Sequence, residues 1–72
     1  MRCAKLDYYD CIVKRGAIMV KVDSNSDPAL VDILAEISEN DGQIFYDGDI
    51  YIYQNNYITN VEGEIYLVLQ VI

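Results

Sequence analysis

Asp23-x-Asn25-x-Asp27 opens like a calcium-binding loop, whose oxygen ligands alternate along the chain. Such a loop needs glycine at its sixth position and a bidentate acid at its twelfth. Pro28 and Leu34 stand there, so the calcium motif fails and the residues read as a loop and a helix cap. Cys3 and Cys11 are the only cysteines, and the chain has no histidine. Two thiolates alone leave a tetrahedral zinc site half filled, and a thiol nucleophile has no imidazole base. Both cysteines read as reduced thiols, one of them on a strand; the alternative is a disulfide between them, which requires their Cα atoms within about 7 Å. Acid–base catalysis needs one carboxyl whose pKa is raised in an apolar cleft. Asp47, Asp49, Glu62 and Glu64 instead fall in or beside turns, close to water. No glycine-rich phosphate loop is present. The expectation is a non-catalytic protein without metal or cofactor.

The acids are more informative as a field than as ligands. Net charge is −7, but all five basic residues (Arg2, Lys5, Lys14, Arg15, Lys21) lie within positions 1–21. With Asp7 and Asp10 that stretch is +3; positions 22–72 hold ten acids and no cation, −10, which together restore −7. Ordinary solvated surfaces mix the two signs, so one-sided charge of this extent needs a use or serves solubility. Such a field repels nucleic acid, which binds through cationic contacts to phosphate. It attracts basic protein surfaces and speeds encounter with them. Base stacking on tyrosine also wants a basic surround, so direct nucleic-acid binding is disfavoured.

These side chains must be positioned by few elements. Seventy-two residues make a single domain, and at this length about 60% of the unfolded surface is buried, which gives a thin core. Apolar residues are 53% of the chain, more than such a core requires, so a homodimer is an expected way to bury the excess. The longest apolar runs, 17–20 and 65–69, are strand-length and far short of the roughly 20 residues of a membrane span. Asp7 and Asp10 interrupt the N-terminus before a signal-like apolar stretch develops. A cytoplasmic protein with no membrane contact is expected.

Residues 8–13 are rich in strand formers, Lys14-Arg15-Gly16 makes a polar turn, and 17–22 resume as a strand. Asp27 followed by Pro28 predicts a helix start, N-cap then first turn, with a helix running to about Glu39. Leu30, Ile33, Leu34 and Ile37 form its buried stripe, and Asn40-Asp41-Gly42 ends it. On the other side Asp32, Glu36 and Glu39 form an acidic ridge, with no lysine or arginine on the same helix. Like charges at that spacing cost a few tenths of a kcal/mol each.

The last thirty residues read as a meander with turns at Asp47-Gly48, Asn55-Asn56 and Gly63. A two-residue turn at Asp47-Gly48 sets Phe45 opposite Ile50 and Ile44 opposite Tyr51. A turn at Asn55-Asn56 sets Ile52 opposite Thr59 and Tyr53 opposite Ile58. If Gly63 closes a three-residue loop with a bulge, Thr59 faces Ile65; a two-residue loop swaps the faces of the last strand. In the first case Phe45, Ile50, Ile52, Ile65, Leu67, Leu69 and Val71 gather under the helix. Ile44, Tyr46, Tyr51, Tyr53, Ile58, Tyr66 and Val68 gather on the other face, which either stays accessible or is covered by the N-terminal hairpin.

The predicted architecture is α+β: a four- to five-stranded, mainly antiparallel sheet with one helix on one face, ordered ββαβββ. Tyrosine is enriched at interfaces, where a rigid ring with a polar tip suits contact. The expected function is a non-catalytic inhibitor whose surface (Asp32, Glu36, Glu39, Asp47, Asp49, Tyr46, Tyr51, Tyr53, Tyr66) occupies a basic, nucleic-acid-binding site on a protein partner. Phage-encoded antagonists of host nucleases or CRISPR machinery are one class with this physical character. The alternative expectation is a homodimerising structural module or small subunit, pairing through the tyrosine face or through the strand at 64–72.

Overall fold

The structure, a computed structural model, describes residues 6–72. Its elements are a short 3-10 turn (Leu6–Tyr8), β1 (Cys11–Lys14), β2 (Ala17–Val22), α1 (Pro28–Glu39), β3 (Gln43–Tyr46), β4 (Asp49–Val61) and β5 (Glu64–Val71). The strands make one curled antiparallel sheet in the order β1-β2-β5-β4-β3, and the fold is ββαβββ, as predicted.

The helix begins and ends where its caps stand. Asp27 keeps an extended backbone while its Oδ1 accepts the Ala29 N–H at 2.9 Å, and Pro28 needs no partner for the N–H it lacks. At the other end Asp41 and Gly42 both take positive φ, 57° and 78°, and the Gly42 N–H closes on the Ile37 carbonyl at 2.8 Å. Leu30, Ile33 and Ile37 are buried and Leu34 half-buried, so the stripe read from spacing is the one that packs. Burying a side chain of this size contributes about 1.5–3 kcal/mol. These side chains meet Ile18, Val20 and Val22 of β2, Ile44 of β3, and Leu67, Leu69 and Val71 of β5.

Four sequence expectations are corrected. The first strand starts at Cys11, because Leu6 is buried and the Tyr9 N–H donates to its carbonyl at 3.0 Å, drawing Tyr8 into the 3-10 turn. No turn forms at Asn55-Asn56. β4 continues to Val61 with a register shift between Tyr53 and Asn55, so that Ile52 pairs with Gln43 and Thr59 with Tyr66. The pair lacks the glycine that a tight two-residue turn favours, and a bulge absorbs the irregularity without reversing the chain. The last turn is two residues, Glu62-Gly63, both at positive φ, with Val61 opposite Glu64.

The fourth correction follows from these. Direct partners in a ladder point to one face. The pairs Ile44–Tyr51, Tyr53–Val71, Leu69–Ile18 and Leu67–Val20 therefore place the tyrosines beside the aliphatics of β5. Tyr46, Tyr51 and Tyr53 are half-buried against the core under the helix, not on the uncovered face. Phe45, Ile50, Ile52, Tyr57 and Val61 take the opposite face, where Ile50 is 60% exposed. Asp47-Gly48, by contrast, makes the expected hairpin, with Phe45 opposite Ile50.

Candidate partner-binding surface

The 3-10 turn presents Tyr8 to solvent, with Tyr9 directly after it in the chain. Leu6 anchors it from inside, fully buried, and its carbonyl also accepts the Cys11 thiol at 3.5 Å. With Leu6 fixed inward, Tyr8 points outward and is 80% exposed, while Tyr9 lies half-buried on the core edge. Asp7 ties the turn to the far hairpin: its Oδ1 accepts the Asp47 N–H at 3.1 Å. The tip of the β3–β4 hairpin, with exposed Asp47 and Asp49, is thereby held against the N-terminal segment.

Two grooves flank this pair, and both are acidic. One, of about 430 Å³, is lined by Tyr8 and Tyr9 together with Asp10, Asp23 and Asp27, and by Lys21. The other, about 130 Å³, runs between the turn and the helix and is lined by Tyr8, Tyr9, Asp32, Ile33 and Glu36. Asp32 and Glu36 of the predicted ridge are thus brought to the tyrosines, but to Tyr8 and Tyr9 rather than to the expected ones. Glu39 lies exposed one turn farther along α1. Sequence reading missed Tyr8 and Tyr9 as site residues because strand propensity placed them in a ladder. The signal that singles them out is Leu6-Asp7-Tyr8-Tyr9, one aliphatic anchor followed by polar and amphipathic residues.

Tyr66 lies on the face opposite α1, half-buried, in register with Lys21 on one side and Thr59 on the other. It shares a cleft of about 410 Å³ beside β1 with Tyr46, Tyr9 and Cys11. Burial raises the Tyr46 hydroxyl above its ordinary pKa, with Cys11 next in effect and Asp47 and Asp7 adding to it. Tyr51 and Tyr53 are turned toward the core, where the Tyr53 hydroxyl bonds to the Asn56 side-chain oxygen.

The electrostatics oppose nucleophilic chemistry here. Burial, then the neighbouring Asp7 and Asp10, push the Cys11 thiol up to about 11, so it is protonated at neutral pH. Asp27 is held below the usual carboxylate range by the N–H groups of Asp23 and Ala29. Lys21 reaches Glu64 at 3.2 Å, and that contact raises its pKa. Among the described residues no three His, Cys, Asp or Glu side chains gather as a metal site, and Cys3, the second candidate thiol, lies outside them. No described helix is long and apolar enough to cross a membrane. No family model, curated protein or solved structure matches the chain.

Proposed function

We infer that the chain is a non-catalytic binder whose acidic, tyrosine-bearing surface occupies a basic, nucleic-acid-binding site on a partner protein and so inhibits it. One observation carries this reading: Tyr8, 80% exposed, stands between grooves lined by Asp10, Asp23, Asp27, Asp32 and Glu36. An exposed ring surrounded by carboxylates supplies both a contact anchor and the charge that a phosphate-binding site selects. Phage-encoded inhibitors of host nucleases or CRISPR machinery have the same physical character, and the partner is sought first among such enzymes.

The test is capture from the native host with the wild-type chain, Tyr8→Ala, and a chain carrying Asp10→Lys and Asp32→Lys. The expected catch is a nucleic-acid-handling protein that is released by salt and by excess DNA or RNA. Truncating Tyr8 is expected to weaken binding by about 1–3 kcal/mol, roughly five- to 150-fold. Capture that persists with both variants, or that ignores salt, would refute the reading.

A further inference from the structure

β4 is far longer than either of its neighbours. β3 covers it only as far as the Tyr53 N–H, which donates to the Gly42 carbonyl at 2.8 Å. β5 pairs with its other side down to Val61, where the Glu62-Gly63 turn begins. Between these limits, over 54–62, no described strand pairs with the outer edge of β4. The strand that sequence reading offered for dimerisation, β5, has no such edge, being flanked by β2 and β4.

We propose that this edge is where a second copy of the chain pairs, antiparallel about a two-fold axis at Ile58, to give a continuous ten-stranded sheet. The ladder geometry fixes the register. Val61 and Glu64 close a two-residue turn, and alternate residues of an antiparallel strand present their N–H and C=O to opposite edges. Tyr57, Thr59 and Val61 therefore face β5, and Asn56, Ile58 and Asn60 face outward. Ile58 is also the midpoint of the open run 54–62. A copy centred there sets Ile58 opposite itself, Asn56 opposite Asn60 and Gln54 opposite Glu62. The symmetric arrangement fills the notch from one limit to the other and makes about six backbone hydrogen bonds.

Charge argues for a second copy as the occupant. Two chains of −7 repel, so self-association needs a surface free of charge. Residues 50–61 contain no charged side chain, and no lysine or proline blunts the edge as exposed edges usually require. In the Ile58-centred register no acid faces another acid. Ile58, 43% exposed on the helix side, and Tyr57, 49% exposed on the other, would both be covered.

Sedimentation of the full chain, with circular dichroism as the check on folding, tests this. The wild type is expected at twice 8.2 kDa, tightening as salt screens the repulsion, whereas partner binding by the acidic surface loosens with salt. Ile58→Lys sets two cations face to face at the axis and is expected to weaken the dimer at least about tenfold. Ile58→Pro removes only an outward N–H and is expected to do the same without disturbing pairing to β5. Ile50→Lys, on the uncovered sheet face, is expected to leave the dimer intact. A wild-type monomer would overturn the proposal, and one whose Ile58 amide resists hydrogen exchange would show another segment on the edge. A dimer broken by Ile50→Lys but not by either Ile58 variant would assign pairing to the sheet face and equally overturn it.

Discussion

Asp27 shows how one carboxylate can serve both backbone and surface. Its two oxygens accept the N–H groups of Asp23 and Ala29, each at 2.9 Å, closing the loop that precedes α1. These bonds favour the ionised form and lower its pKa from the ordinary 3.8. A depressed carboxyl stabilises the fold above its unfolded pKa and loses that contribution as pH falls through the folded value. Asp27→Asn keeps a capping oxygen but no titratable group. Melting followed from neutral pH into acid is expected to show the wild type's advantage over this variant shrinking below about pH 4. Cys11 behaves in the opposite sense. With its pKa pushed up to about 11 from 9.0, its alkylation at neutral pH is expected to be on the order of a hundredfold slower than in the unfolded chain. Peptide mass spectrometry of iodoacetamide-treated protein measures it, and equal rates in the two states would contradict the burial described here.

At the scale of elements, local signals decided the helix and two of the hairpins. Asp27-Pro28 and Asp41-Gly42 bracket α1 because capping depends on the residues at the ends, not on the rest of the fold. Asp47-Gly48 set the β3–β4 register for the same reason. Asn55-Asn56 misled, since asparagine suits a positive-φ turn and nothing nearby signals that the strand goes on. What carries β4 through is tertiary: its first part pairs with β3, its second with β5, and the bulge between them changes which side chains face the helix. That single shift, together with the two-residue turn at Glu62-Gly63, moved Tyr46, Tyr51 and Tyr53 from the open face to the covered one and left Tyr66 on the open face. The turn also offers a stability test. Glu62 holds φ at 53°, a conformation asparagine tolerates better than glutamate. Glu62→Asn is expected to raise stability by about 0.5–1 kcal/mol in denaturant unfolding; a loss of stability would mean that the glutamate makes a compensating contact.

Across the whole molecule, charge and apolar surface are arranged separately. The apolar core is one-sided, between α1 and the covered face of the sheet, and leaves Ile50, Ile52 and Tyr57 outside. The acids of the helix, of the loop before it and of the β3–β4 tip converge on the 3-10 turn, through grooves at Tyr8 and Tyr9 and the Asp7–Asp47 bond. The acidic character of this surface was legible in the sequence, because a −10 stretch of fifty-one residues must show negative charge somewhere on a small sheet protein. Its aromatic members were not, because which tyrosines stay outside depends on strand register and on where Leu6 inserts.

The most direct measurement is competition on the captured partner. Its binding to labelled nucleic acid would be followed by fluorescence anisotropy while the chain is added at low and at high salt. Competitive displacement is expected, strongest at low salt, weaker for Tyr8→Ala, and lost when Asp10 and Asp32 are both replaced by lysine. A ternary complex, with the partner holding the chain and the nucleic acid together at undiminished affinity, would contradict the account.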